Sequence, residues 1–265
     1  MSKKQGRGRS VKVRDLKQRQ KKNVTKTTLR EKLDEIYNAT VCLATTCQGR
    51  CDCCKVGMPQ MNYSEFCQLA DDIWRTTSRS EQIRLICTSI EYFFRNEFEK
   101  WGKESLVKPC MLLDEGKCRW YQSRPLSCRV YGLWPEATYN ARVDKFEKAY
   151  DGLLKREELP LNKQCPHVKR VDDTVPLTDE VINSLYKQLD ELDKKVGNFT
   201  NLNIEQKENY RTFHDWLLLK IFGEQFLCDL TKFIMGASKE VMIDQINALK
   251  IAIASRFSKD IPNIR

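Results

Sequence analysis

Cysteine gathers in two places in this sequence. "CLATTCQGRCDCC", residues 42–54, holds five, with Cys47, Cys51, Cys53 and Cys54 inside eight consecutive positions. Cys110, Cys118 and Cys128 follow in "KPCMLLDEGKCRWYQSRPLSCRVYGLWP", and Cys165 lies beyond them in "LPLNKQCPHVKR". These eight sit among glycines and prolines, where the backbone is free to turn several thiolates toward one point. The other four differ in context. Cys67, Cys87 and Cys228 fall inside amphipathic or apolar runs and read as small buried hydrophobes. Cys42 borders the first helix and reads as structural.

Spacing narrows the chemistry. Tetrahedral zinc sites usually show paired C-x₂₋₄-C knuckles, and Cys47–Cys51 fits loosely. Cys110-x₇-Cys118-x₉-Cys128 makes no second knuckle. The adjacent pair Cys53–Cys54 also suits one tetrahedral ion poorly, because neighbouring side chains diverge. An iron–sulfur cluster needs thiolates spread around a larger core and tolerates wide spacings from distant loops. Eight loop cysteines suffice for one or two [4Fe-4S] clusters, so an iron–sulfur cluster is the expected cofactor and zinc the alternative.

Four thiolates around either metal leave excess negative charge that must be balanced when buried. Arg50, Lys55, Lys117, Arg119, Arg124 and Arg129 all lie close in sequence to candidate ligands. Arginine can also hydrogen-bond to sulfur and so tune a reduction potential. Arg124 and Arg129 are the cofactor-binding candidates of this kind.

"PCMLLDEGKCRWYQSRPLSCRVYG" resembles the second half of the CxxCxxCC cysteine-cluster family of zinc- or iron-chelating proteins. Pro109, Cys110, Gly116, Cys118, Tyr121, Arg124, Pro125, Cys128, Arg129 and Tyr131 stand in the matching places. "CQGRCDCC" is similar to the N-terminal cluster of that family, with C-x₃-C-x-C-C in place of the literal spacing, so the role of Cys53 is open. Cys165 resembles the trailing cysteine. The resemblance covers about residues 45–170 and implies metal or iron–sulfur binding. One branch of the family is linked to flagellin lysine methylation, which makes a protein-modifying S-adenosylmethionine-dependent activity a lesser alternative.

Cys47-x₃-Cys51-x₂-Cys54 also satisfies the three-cysteine spacing of radical S-adenosylmethionine enzymes. Those enzymes place it after the first strand of a (β/α) barrel, and no alternating strand–helix series is legible here. No P-loop, G-x-S-x-G or H-E-x-x-H occurs. Of the two histidines, His167 could supplement a thiolate but reads as a loop residue, and His214 reads as structural. Whether a reaction is catalysed is left open by the residues.

The elements that must position these cysteines read as helices. "TTLREKLDEIYNATVCLA" puts Leu29, Leu33, Ile36 and Tyr37 on one stripe, with Thr28 as N-cap. "NYSEFCQLADDIW" has Phe66, Leu69, Ala70 and Ile73 at helical spacing, with Ser64 as its cap signature. Ile83, Ile86, Ile90, Phe93 and Phe94 stripe a longer helix. Residues 108–135 read as loop, Pro135 to Leu159 as helix, and "PLTDEVINSLYKQLDELDKKVGNF" as a helix opened by Pro176 and Thr178. Further helices break near Gly223 and Gly236. The expected fold is mainly α, an irregular helical domain with cysteine-rich metal-binding loops and a C-terminal helical extension.

Charge divides the 265 residues unevenly. The net charge is +10, yet residues 1–30 alone carry +11, so the rest is near neutral. Residues 1–27 read as a basic disordered arm, 28–175 as the cysteine-cluster domain and 176–265 as the C-terminal helical region. The arm suits nucleic acid or an acidic protein surface, as in a subunit of a large complex. A zinc-stabilised interaction module docking through this arm is the rival to a redox protein. No secretory leader and no apolar run long enough to span a membrane is read, so a cytoplasmic, reducing setting is expected, where cysteines serve as metal ligands before disulfides.

Overall fold

A computed structural model describes residues 29–38, 52–55, 57–100, 109–133, 136–149, 178–196, 210–262 and 264. The basic arm, Cys42, Cys47, Cys51, Cys165 and His167 lie outside these residues, and Cys53 is described only by its backbone. The fold is mainly α. Its helices are α1 (29–38), α2 (Asp52–Lys55), α3 (Tyr63–Thr76), α4 (Arg79–Lys100), α5 (Leu126–Arg129), α6 (Glu136–Ala149), α7 (Asp179–Val196), α8 (Phe213–Phe222), α9 (Glu224–Gly236) and α10 (Lys239–Phe257). No helix among the described residues is long and apolar enough to cross a membrane.

The apolar stripes read from the sequence face inward. Leu33, Ile36 and Tyr37 of α1 are buried, as are Phe66, Leu69, Ala70 and Ile73 of α3. In α4, Ile86, Ile90, Phe93 and Phe94 are buried, and Ile83 packs against them half-covered. The cap of α3 differs from the expectation. Asn62, not Ser64, is the N-cap, and its N–H donates to Glu65 Oε2 at 3.0 Å. Ser64 is instead inside the helix, where its N–H donates to Asp193 Oδ1 of α7 at 2.8 Å.

Two cores result. The larger joins α3, α4, α8, α9 and α10, with α4 packed against the three C-terminal helices. The smaller joins α1, α7, α5 and the turn after α5, through Leu33, Leu126, Val130, Ile182 and Leu189. Residues beyond 176 therefore contribute to both cores, and α3 packs against α7 and α8 alike.

The sequence shows no period-two alternation, yet two small antiparallel ladders are present. The strands have two residues each, too short for alternation to register. β1 (Gln60–Met61) pairs with β4 (Arg211–Thr212), placing Gln60 opposite Thr212. β2 (Leu113–Asp114) pairs with β3 (Lys117–Cys118) across a two-residue turn, Glu115–Gly116. Both turn residues have positive φ, 46° and 77°, as the primed hairpin turns require, and glycine meets this without strain. The segment read as continuous loop thus contains this hairpin, a 3₁₀ turn at Tyr121–Ser123 and α5.

Candidate metal centre

Cys54 ends up against Cys110. Cys54 lies on the short helix α2, and its carbonyl accepts the N–H of Cys110 at 2.5 Å. Both residues are buried. The flanks of Cys110 are held as well. Tyr92 Oη of α4 donates to the carbonyl of Pro109, and the N–H of Met111 points at Met58 Sδ, 3.2 Å away. Leu113 N–H closes a turn onto the Cys110 carbonyl at 3.0 Å. That turn leads into the hairpin, where Cys118 stands opposite Leu113, half-buried against the larger core. Residues distant in the chain thus place Cys54 and Cys110 in the larger core, with Cys118 packed against it.

Cys128 takes a different seat. It lies on α5, half-buried, with its N–H on the Pro125 carbonyl at 3.0 Å. Its electrostatic neighbours are Tyr37 of α1 and Arg129. Among the described residues no three His, Cys, Asp or Glu side chains come together as a complete metal site. The four described thiols are therefore not by themselves a closed ligand set. Cys47, Cys51 and Cys165, and the side chain of Cys53, lie outside the described residues.

Arg124 and Arg129 share one turn. Arg124 stacks its guanidinium 3.4 Å above the Tyr121 ring and donates Nε to the Tyr121 carbonyl. Arg129 stacks 4.1 Å from the Tyr37 ring and donates to the carbonyls of Arg124 and Gln122. No carboxylate among the described residues pairs with either guanidinium. Burial and the neighbouring Arg124 charge pull the Arg129 pKa down, while Tyr37, Glu65 and Cys128 push the other way. Backbone anchoring fixes Arg129 beside Cys128 and Arg124 beside Arg129, and both Arg124 Nη atoms and Arg129 Nη1 make no hydrogen bond to a described residue.

Glu65 was missed as a site residue. Its carboxylate is fully buried and accepts from Tyr37 Oη at 2.8 Å, Asn62 N–H at 3.0 Å and Leu126 N–H at 2.6 Å. Leu126 is the first residue of α5, so Glu65 of α3 holds the start of the helix that carries Cys128. Burial raises the Glu65 pKa to about 7, against the pull of those three donors. Asp193 works in parallel at the start of α3, accepting from the N–H groups of Tyr63 and Ser64 and from Asn62 Nδ2. Its pKa is also raised by desolvation. The Asn62-x-x-Glu65 spacing is a capping-box signature and was the available signal.

The remaining cysteines divide. Cys87 is buried and Cys67 half-buried, and burial lifts the Cys67 thiol to about 11. Cys228 departs from the expectation, since it lies exposed on α9. The α9 apolar face is carried by Leu227, Leu230 and Ile234, and Cys228 falls just off it. His214 is fully buried, 2.9 Å from Asn96 Nδ2 and 3.1 Å from Thr212 Oγ1, at the start of α8. Compared with protein-family models, curated proteins and solved structures, the chain matches none.

Proposed function

We propose that this chain binds an iron–sulfur cluster, of the [4Fe-4S] type, through Cys47, Cys51, Cys54, Cys110, Cys118, Cys128 and Cys165, with Cys53 as a further candidate. The observation that carries the reading is the backbone hydrogen bond between Cys110 and Cys54, which joins the two cysteine runs at a buried point. Buried thiols from well-separated segments suit a cluster, whose irons accept ligands from several directions. Arg124 and Arg129 support it: two fixed cations, neither in an ion pair with a described carboxylate and only Arg129 feeling the charge of Glu65, can offset thiolate charge. The cluster serves electron transfer or a redox-linked modification in a reducing, cytoplasmic setting, where the thiols stay available.

Anaerobic purification tests this directly. The expected product is brown, with visible charge-transfer absorbance and near-equal iron and acid-labile sulfide, and Cys110→Ser loses both. A colourless protein carrying stoichiometric zinc would overturn it.

The excess charge of residues 1–30 favours a second component, docking of the arm on nucleic acid or an acidic protein surface. In the rival reading the metal is zinc and docking is the whole function. Deleting residues 2–26 should then weaken binding to duplex DNA or an acidic peptide and flatten its salt dependence.

A further inference from the structure

A cleft opens between the first turns of α4 and the Cys110–Cys118 hairpin, with a volume near 170 Å³. A single water needs about 10–15 Å³ on the same measure, so the cleft has room for several. Ordinary drug-sized pockets start at about 300 Å³, so the cleft suits a small ligand. Its floor is apolar, made by Leu85, Met111, Leu112 and Leu113.

The polar lining splits into spent and unspent groups. Glu81 and Arg119 satisfy each other, Arg119 Nη1 donating to Glu81 Oε1 at 2.7 Å. The other Glu81 oxygen takes the Ser78 N–H at 2.9 Å. This pairing holds the Glu81 carboxyl well below the usual range, at about 2. Trp120 is fixed by Nε1 donating to Thr76 Oγ1 at 3.1 Å, with Arg119 lying 5.0 Å from its ring. Arg84 on the α4 wall and Asp114 on the hairpin wall also line the cleft. Neither side chain makes a hydrogen bond or ion pair with a described residue. The cleft thus offers one unspent cation and one unspent anion, on separate walls, above an apolar floor.

We propose that this cleft binds a free α-amino acid with an apolar side chain. Its carboxylate meets Arg84, its ammonium meets Asp114, and its side chain covers the apolar floor. Charges balance across the lining, which favours a zwitterion over a net anion or cation, since either would leave one wall unpaired on binding. None of the charged groups is a proposed ligand, but the wall that carries Asp114 lies between Cys110 and Cys118. The titration is therefore run on the anaerobically purified protein and on the same protein after chelation, and binding is expected in both.

L-leucine is the first probe, with L-methionine and L-phenylalanine beside it, titrated into the full chain by calorimetry. Isocaproic acid and 3-methylbutylamine, each lacking one charge, are the controls. Saturable binding of at least one amino acid is expected, weakened about tenfold in each control and in Arg84→Met and Asp114→Asn. Both residues are exposed, so the variants should melt as the wild type does. No saturable binding of any of the three amino acids overturns the proposal. So does equal binding of the single-charge analogues, or unchanged binding by the two variants.

Discussion

Replacing Glu65 with glutamine should flatten part of the pH dependence of stability. An exposed glutamate releases its proton near pH 4.5, whereas buried Glu65 holds it to about pH 7. The folded state therefore binds that proton more tightly than the unfolded state. Stability from this group is fully present below pH 4.5 and is lost as pH rises through 7. The span between those values, at about 1.4 kcal/mol per pH unit, amounts to about 3 kcal/mol. Glutamine stays neutral throughout. It also turns an N–H₂ toward one of three donors, a cost that does not change with pH. Urea unfolding of both proteins, followed by tryptophan fluorescence in reductant and chelator at pH 5, 6, 7 and 8, isolates the effect. The wild type should lose about 2.5 kcal/mol relative to Glu65→Gln between pH 5 and 8. A difference that stays constant within about 1 kcal/mol would show that Glu65 is ionised throughout, held by its donors, and would refute the reasoning.

Three further outcomes are expected. Gly116→Ala should cost about 1 kcal/mol or more in urea unfolding, because φ of 77° suits glycine, and Gly116→Asn should recover part of the loss. Asp193→Ala should destabilise by about 1–2 kcal/mol, since it strips the first N–H groups of α3 of their acceptor inside the fold. In the native protein at neutral pH, iodoacetamide should label exposed Cys228 well before Cys67, whose thiol is held protonated by burial, and peptide mapping reads the order directly.

Helix stripes were the legible part. Leu33, Ile86 and Ile90 announce their burial because a three-to-four spacing repeats over several turns. The short ladders were not legible, since a two-residue strand has no period, and Gln60 meets Thr212 through packing of the helices around them. Asn62 outcompeted Ser64 as cap because Glu65 three residues on can return the bond and Asp193 already claims the Ser64 N–H. For the candidate site, types and spacing pointed to Cys54, Cys110, Cys118 and Cys128, but spacing cannot say that Cys54 and Cys110 share a backbone bond while Cys128 sits by Tyr37. The arginines were read as charge beside sulfur. Their stacking on Tyr121 and Tyr37, and their grip on the 121–124 carbonyls, are three-dimensional facts no linear pattern encodes.

The β1–β4 pair carries a consequence for how the chain is made. Met61 is fully buried, and its carbonyl accepts Trp216 Nε1 at 3.0 Å, so the segment following the first cysteine run is completed by residues some 150 positions later. At about 5–20 residues per second, a ribosome needs on the order of 10–30 s to travel from one to the other. Cys54 and Cys110 are both made within or before that interval, ahead of the C-terminal helices that pack around them. The core that buries Cys54 and Cys110 is thus closed only when the C-terminal helices α8, α9 and α10 have been made.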